Sequence, residues 1–379
     1  MTPFAGRFTL PRLERVIAGP GTIDALAGEI DRYGCRRVVV VTGTTLGSSP
    51  LIDRVRRVLG DRCAAVFSGA RQHVPSSTIP MLLDAMRDAG ADGFVSVGGG
   101  SPIDTVKCAV HALIGGTPLS AGDGPLHIAV PTTLSAGEFT DVAGLTDEET
   151  RVKHSLFDTR LAPRVVIADP VLTLDTPDWL WAASGIRAFD HAIETLYAGR
   201  RHPISEALAE RALEMLRDHL PGSVHAAGDA RLTHRGECQM AAWLAVFGVT
   251  NAGFGLSHVL GHQIGPRWHV AHGVTSAIML PHAMRFMADA APERFAPIAR
   301  ALGVAGDDGD VATAARACAD RAGTFIAQFG LPARLRDVLV PRAELTGIAA
   351  LVSGLMARAQ AVERPVTPAD VEIVLEAGY

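Results

Sequence analysis

Short apolar runs and amphipathic segments alternate along the first half of the chain. The apolar runs carry no charges, which is typical of parallel strands that are buried on both faces. They predict five strands, at residues 38–42, 64–67, 93–97, 128–130 and 165–168.

Between these runs, apolar residues recur at spacings of three and four, the period of a helix with one buried face. This pattern predicts helices at residues 22–33, 51–59, 77–89 and 102–113. Strands that alternate with helices form a parallel sheet covered on both faces. The sequence therefore predicts an α/β domain with a doubly wound parallel sheet, over residues 1–165.

The second half of the chain has a different pattern. After Pro177 the strand signal stops, and helical periodicity continues, for example over residues 204–216, 234–247 and 271–288. Pro163 and Pro170 also punctuate the chain where the two patterns meet. We predict a second, all-helical catalytic domain over residues 166–379.

Length and composition fit a globular protein of two domains. The 379 residues are 48% hydrophobic and 20% charged, with a formal net charge of -5. The chain has no basic stripe of the kind that binds nucleic acid, and no apolar run as long as a membrane span or a secretory signal. The five cysteines lack C-x-x-C spacing, which is typical of reduced core thiols. We expect a soluble cytoplasmic protein that binds neither nucleic acid nor a membrane.

A glycine-rich segment follows the strand predicted at residues 93–97. Gly98, Gly99, Gly100 and Ser101 lead directly into a predicted helix. The N–H groups of such a turn and the positive end of the helix dipole favour an anion, and glycine lets a pyrophosphate approach the backbone. The spacing is not G-x-G-x-x-G, and a plain tight turn is the alternative. We predict a dinucleotide-binding loop.

The strand predicted at residues 38–42 leads into Gly43 and Thr44. Dinucleotide enzymes that reject a 2′-phosphate usually place an acidic side chain there, against the ribose hydroxyls. Because Gly43 has no carboxylate to repel that phosphate, we predict that NADPH is usable alongside NADH. The alternative is that Gly43 only makes a turn.

Further cofactor contacts are predicted after the strand at residues 128–130, because ligands of open α/β sheets bind along the carboxyl edge. The following segment supplies hydroxyls and a flexible backbone, and its candidate residues are Thr132, Thr133, Leu134 and Thr140. Lys153 precedes the last predicted strand and can reach a phosphate or a ribose. A solvated surface lysine is the alternative reading of Lys153.

Histidines recur at helical spacing in the second domain. His258 and His262 are four residues apart, as are Arg187 and His191, so each pair projects from one face of a helix. His272 follows a Gly-Pro pair that predicts a turn. Clustered imidazoles bind a divalent metal, transfer protons near neutral pH, or satisfy buried polar groups. Beside a nucleotide-binding fold, this pattern favours a catalytic site.

These motifs occur together in one order and spacing. They are the Gly19-Pro20-Gly21 turn, Gly98 to Ser101 with Asp104 and Lys107, Pro131-Thr132-Thr133, His191 within H-A-I-E, and His258, His262 and His272 before Gly273. The set resembles the iron-containing alcohol dehydrogenase family over nearly the whole chain. The resemblance implies hydride transfer from NADH or NADPH, a cofactor-binding role for Asp104, and at least a homodimer.

One position departs from the family. In metal-dependent members an Asp and three His bind iron or zinc, and the matching positions here are Arg187, His191, His258 and His272. A guanidinium has no lone pair to donate and repels a divalent cation. We therefore predict that this enzyme works without a bound metal.

The maleylacetate reductase branch of the family also departs from that Asp. Its segment after the paired threonines is similar to residues 135–140, and residues 196–198 also resemble it. Arginine is not the usual residue there, but its fork of donors suits a substrate carboxylate. The resemblance implies a small anionic oxo or unsaturated acid as substrate, held by Arg187. His262 or His258 would then donate a proton, while His191 and His272 complete the pocket.

Two alternatives remain open at this point. The first is a metal-dependent alcohol dehydrogenase or aldehyde reductase of the same fold, with His191, His258 and His272 as metal ligands. The second is a non-catalytic nucleotide-binding relative that serves as a partner or sensor.

Overall fold

The computed structural model describes residues 8–115, 122, 124–150, 152–247, 249–304, 310–359 and 365–379. The strands in chain order are β1 (Arg15–Ala18), β2 (Val38–Gly43), β3 (Cys63–Ala70), β4 (Gly93–Gly98), β5 (Leu126–Pro131), β6 (Val142–Thr146), β7 (Lys153–Phe157) and β8 (Val165–Ala168). Six of them form one parallel sheet in the order β1-β8-β5-β4-β2-β3. The other two, β6 and β7, form an antiparallel pair.

Helices cover both faces of the parallel sheet. They are α1 (Leu26–Arg32), α2 (Thr44–Gly47), α3 (Pro50–Leu59), α4 (Thr78–Asp88) and α5 (Gly100–Ile114). Successive valines of β2 point to opposite sides: Val38 and Val40 pack in one core with α1 and α3, and Val39 and Val41 in another with α4 and α5. Burial on both faces is why the strands are uninterrupted apolar runs. The predicted doubly wound sheet is confirmed.

The second part of the chain is helical over its described residues. Its helices are α6 (Asp178–Tyr197), α7 (Pro203–His225), α8 (Gly228–Val246), α9 (Val249–Ala252), α10 (Leu256–Trp268), α11 (His272–Ala290), α12 (Ala296–Leu302), α13 (Val311–Ala327), α14 (Leu345–Ala359) and α15 (Pro368–Ala377). One core lies among α6, α7, α8, α11 and α13, and a second among α10, α11, α14 and α15. The predicted helical half is confirmed. Among the described helices, none has both the length and the apolar character that a membrane crossing requires.

Three strands and one helix differ from the sequence-based expectation. The sequence reasoning missed β1, a short strand at the edge of the sheet, and the β6 and β7 hairpin, which is partly exposed. The prediction of a Gly-Pro turn before His272 is wrong, because Pro266 lies inside α10 and the chain turns at His269 instead. The sheet extends through Ala168, whereas α6 begins at Asp178, so the division at residues 165 and 166 stays a prediction.

Candidate active site

A cavity of about 840 Å³ lies between the carboxyl edge of the parallel sheet and the helices of the second part. The ends of β2, β4 and β5 line one side of it, and α6, α10 and the start of α11 line the other. Ligands of open α/β sheets bind outside the carboxyl ends of the strands. The cavity therefore lies where a dinucleotide is expected, and both parts of the chain build it.

The glycine-rich turn between β4 and α5 forms one wall of the cavity, with Gly98, Gly99, Gly100 and Ser101 all lining it. Gly98 has φ +136, and a Cβ atom there would lie 3.0 Å from Pro102 Cγ. Glycine at this position thus allows both the backbone conformation and the tight entry into α5. Because α5 begins at Gly100, its N-terminus opens directly on the cavity and favours an anion.

The other predicted cofactor residues surround this turn, with one exception. Gly43, Thr44, Asp104, Thr132, Thr133 and Thr140 line the cavity. Leu134 does not line it, since its side chain is fully buried in the core and its N–H donates to Ser184 Oγ at 3.0 Å. Asp104 accepts a hydrogen bond from the N–H of Gly144 at 3.2 Å.

Lys107 fixes the loop that carries the threonines, a role that the sequence reasoning did not assign. Its side chain is fully buried, and its Nζ donates to the carbonyl oxygens of Gly137 (2.5 Å), Thr140 (2.7 Å) and Val142 (2.9 Å). Burial lowers the pKa of Lys107. These bonds tie the loop after β5 to α5, so the two cofactor-facing loops keep a fixed relation.

Lys153 lies nearer the histidines than its predicted role suggests. It begins β7 and lines the cavity, and its Nζ lies 3.2 Å from Nε2 of His272. Burial lowers the pKa of Lys153, while the nearby charge of Asp104 raises it. Lys153 therefore places its amino group between the predicted dinucleotide loops and the histidine cluster.

The four predicted histidines converge on the cavity from α6, α10 and the start of α11. Nε2 of His258 lies 2.9 Å from Nε2 of His262. The ring centroid of His258 lies 5.2 Å from that of His191, and the centroid of His262 lies 5.1 Å from that of His272. Burial lowers the pKa of all four well below the ordinary value, and the charges of Arg187 or Lys153 lower it further. Burial therefore disfavours the charged form of these imidazoles.

Arg187 is buried beside the histidines and lines the cavity. Its Nη1 donates to Ser276 Oγ at 2.9 Å and lies 3.4 Å from Asp190 Oδ2. The same carboxylate oxygen accepts hydrogen bonds from Ser276 Oγ (2.6 Å) and Ser257 Oγ (2.9 Å). Asp190, one helical turn after Arg187, is thus a missed site residue whose i,i+3 spacing was visible in the sequence.

Glu194 connects the two helices that carry the polar groups, and the sequence reasoning did not assign it a role. Its carboxylate accepts the N–H groups of Gly255 (2.9 Å) and Ser257 (2.8 Å) at the N-terminus of α10. These N–H groups have no partner within the helix. A residue of α6 therefore caps α10 and sets His258 and His262 relative to Arg187 and His191.

Comparison with family models matches both parts of the chain. The model of iron-containing alcohol dehydrogenases matches residues 13–170, and the C-terminal model of the Fe-containing alcohol dehydrogenase family matches residues 181–379. The chain belongs to the iron-containing alcohol dehydrogenase family. It is accordingly an NAD(P)-dependent oxidoreductase, and the predicted membership is confirmed.

Curated members of the iron-containing alcohol dehydrogenase family resemble the chain over most of its length. Maleylacetate reductase 2 of Cupriavidus pinatubonensis is 35% identical over 295 residues, 78% of each chain. Lactaldehyde reductase of Escherichia coli K12 is 32% identical over 348 residues, 87% of this chain and 89% of the relative.

Solved structures from the same family share the fold over the whole length. Maleylacetate reductase from Agrobacterium tumefaciens has a TM-score of 0.81 at 29% identity, covering 100% of this chain and 99% of that one. Alcohol dehydrogenase from Oenococcus oeni has a TM-score of 0.91 at 27% identity, covering 99% and 100%.

The site residues do not fit the metal that the name of the family implies. Among the described residues, no group of three His, Cys, Asp or Glu side chains is arranged to hold a metal ion. His258 directs Nε2 at His262, and Nε2 of His272 lies beside the Lys153 ammonium. Arg187 and Lys153 add positive charge, which repels a divalent cation.

Proposed function

We propose that this protein is an NADH- or NADPH-dependent reductase of an anionic oxo acid, similar to the maleylacetate reductases, and that it works without a bound metal. The observation that carries the proposal is the pair of cations, Arg187 and Lys153, on a cavity that also contains a dinucleotide-binding turn. Cations in a partly desolvated cavity favour an anionic ligand. Two of the relatives described above are also named as maleylacetate reductases.

The proposed arrangement follows from the position of the glycine-rich turn. The glycine-rich turn and the N-terminus of α5 would hold the pyrophosphate of the dinucleotide, and the same cavity extends to the histidines of the second part. The bound nicotinamide supplies a hydride, and the protein's own contribution is to orient the two reactants and exclude water.

The proposed roles of Arg187 and the histidines follow from the charge of the substrate and from the proton that its reduction requires. Maleylacetate is an unsaturated oxo acid, so hydride addition to its carbon–carbon double bond moves an electron pair onto the ketone oxygen. A proton must then be delivered to the neighbouring carbon. The guanidinium of Arg187 holds a substrate carboxylate and so orients the oxo acid, and the hydrogen-bonded pair of His258 and His262 passes the proton on.

The similarity to lactaldehyde reductase supports a second candidate function, that of a metal-dependent aldehyde reductase. In that case His191, His258 and His272 would have to turn their free nitrogens toward a metal ion. The Nδ1 atoms of all three are buried and have no hydrogen-bond partner in the described structure. Rotation of these rings is therefore the change that a metal-dependent aldehyde reductase would require.

One experiment distinguishes the two candidates. The protein is purified, divided, and one half is treated exhaustively with a chelator and analysed for metal content. Nicotinamide absorbance is then followed in both halves with maleylacetate and with lactaldehyde, each offered with NADH and with NADPH. We expect maleylacetate turnover that survives chelation, with activity on both cofactors because Gly43 has no carboxylate.

Each other outcome has a definite meaning. Turnover that chelation abolishes and iron or zinc restores means that the histidines hold a metal. Turnover of lactaldehyde but not of maleylacetate means that the substrate is an aldehyde and not an oxo acid. A large loss of rate with NADPH contradicts our interpretation of Gly43.

A further inference from the structure

His73 is a buried polar residue of the cavity wall to which the proposed reaction assigns no role. It follows β3 and lines the cavity with only 7% of its surface exposed. Both of its ring nitrogens lack a hydrogen-bond partner within the described structure. Buried polar groups are almost always paired, so two unpaired nitrogens beside a cavity indicate a ligand contact.

The backbone at His73 is held in an unfavourable conformation. His73 has φ 63 and the following Val74 has φ 53, in the left-handed region that side chains rarely adopt. Thr146 of β6 holds this turn, since its hydroxyl donates to the carbonyl oxygen of His73 at 2.6 Å and its N–H to that of Val74 at 2.9 Å. Such strain persists where the surrounding structure enforces it, commonly at ligand sites.

Two glycines of α10 relate His73 to Arg187. A Cβ atom on Gly261 would lie 3.7 Å from Nη1 of Arg187, and one on Gly265 would lie 3.1 Å from Cε1 of His73. Gly261 and Gly265 lie on the same face of the helix, about 6 Å apart along its axis. The guanidinium and the imidazole therefore both lie against this face of α10, beside glycines that are one helical turn apart.

The Lys153 ammonium is a cation close to His73. The ring of His73 meets that of His272 edge-on at 5.4 Å between centroids, and His272 lies 3.2 Å from the Lys153 ammonium. Burial, followed by the charge of Lys153, lowers the pKa of His73 to about 3. A neutral imidazole has one N–H donor, while Lys153 supplies the charge.

We propose that His73 selects dicarboxylates, by donating a hydrogen bond to the second carboxylate of a substrate whose first carboxylate is held by Arg187. Two groups that lie beside glycines one helical turn apart suit a chain of about four to six carbons. The inference rests on the proposed function, which requires an anionic oxo acid but assigns no group to its far end.

The test measures binding without turnover. Maleate, a dicarboxylate, and crotonate, a monocarboxylate that also has four carbons, are titrated calorimetrically into the enzyme saturated with NAD⁺. We expect maleate to bind at least tenfold more tightly than crotonate. His73→Phe keeps the ring volume without the N–H, so it should weaken maleate binding at least tenfold and leave crotonate binding unchanged.

Two further variants serve as controls. His73→Gln keeps an N–H donor and should recover part of the maleate affinity. His154→Phe makes the same change at an exposed histidine of β7 and should bind both acids like the unaltered protein. Circular dichroism checks the fold of each variant.

The outcomes separate this inference from the proposed function. Equal affinity of the unaltered protein for the two acids overturns the inference, as does an equal loss for both acids in His73→Phe. Turnover of maleylacetate with the same KM in His73→Phe also overturns it and leaves the proposed function intact. Maleate binding that depends on His73, with no oxo-acid turnover, overturns the function and supports the inference.

Discussion

At the scale of single residues, Arg187 decides the electrostatics of the site. Its charge is buried, and Asp190 balances part of it at 3.4 Å. Two serine hydroxyls share the same carboxylate oxygen, so Asp190 is oriented by three donors. A buried ion pair of this kind fixes the position of the guanidinium more than it stabilises the fold.

Replacement of Arg187 by Ala should raise the KM for an anionic oxo acid roughly tenfold or more, because a charge-assisted hydrogen bond contributes about 1.5–3 kcal/mol. The KM for the nicotinamide cofactor should stay unchanged, since the proposed pyrophosphate site lies at the start of α5. Steady-state kinetics with each substrate varied in turn measures both values.

Arg187→Ala also leaves the buried carboxylate of Asp190 without its ion-pair partner. Two other variants control for this effect. Arg187→Lys keeps the charge without the fork of donors and should have an intermediate KM. Arg285→Ala removes an arginine that pairs with Asp320 on the surface and should behave like the unaltered enzyme. Unchanged oxo-acid kinetics in Arg187→Ala would refute its role.

Glu138 makes the stability of the protein depend on pH. Burial raises the pKa of this carboxyl group from 4.5 to about 7, and its Oε2 has no hydrogen-bond partner among the described residues. The folded state therefore favours the protonated form. The destabilisation is absent below pH 4.5, grows as the pH rises toward 7, and is complete above it.

Glu138→Gln should accordingly have a higher thermal unfolding midpoint than the unaltered protein at about pH 8, and nearly the same midpoint at about pH 5. Calorimetry at both values measures the difference. Glu149→Gln, at an exposed glutamate, provides the matched control. A difference of the same size at both pH values would contradict the raised pKa.

At the scale of elements, the geometry of the candidate active site depends on how α6 meets α10. Both oxygens of the Glu194 carboxylate accept N–H groups from the first turn of α10, and the Tyr197 hydroxyl lies 3.3 Å from Oε1. Burial and the charge of Asp190 raise the pKa of Glu194. Both carboxyl oxygens nevertheless act as acceptors in these hydrogen bonds.

Glu194→Gln should lower the free energy of unfolding by about 1–3 kcal/mol, because the amide must direct an N–H group at another N–H group. It should also lower kcat, since His258 and His262 move with α10. Urea denaturation and steady-state kinetics measure the two effects. A stable variant with full activity would show that Glu194 does not set the position of α10.

The elements also show where sequence patterns fail. The buried strands follow from uninterrupted apolar runs, and the observed β2, β4 and β8 contain the predicted residues. The expected break at Gly265-Pro266 did not occur, because α10 packs in its own core and continues through the proline. Tertiary packing here outweighs a local preference to end the helix.

At the scale of the whole molecule, neither part of the chain contains the site alone. The α/β part supplies the anion-binding turn, Lys153 and His73, while the helical part supplies Arg187 and the other histidines. The cavity exists only where the two parts meet. In the proposed function, substrate and cofactor would meet at this junction, which is a common location for ligand sites.

The sequence by itself determined the features that depend on near neighbours along the chain. Apolar periodicity specifies the strands and helices, three successive glycines specify the tight turn before α5, and spacings of four residues place two pairs of polar side chains on helix faces. The motifs also sufficed to recognise the family.

Only the tertiary structure decided which distant residues meet. Lys153 and His272 are 119 positions apart, and Glu194 binds the start of α10 from 61 positions away. The sequence did not indicate a role for His73, because that role depends on a buried ring without hydrogen-bond partners beside Gly265. No local sequence pattern reveals such an environment. Such contacts depend on the packing of all elements together, whereas periodicity reports only the environment of each element separately.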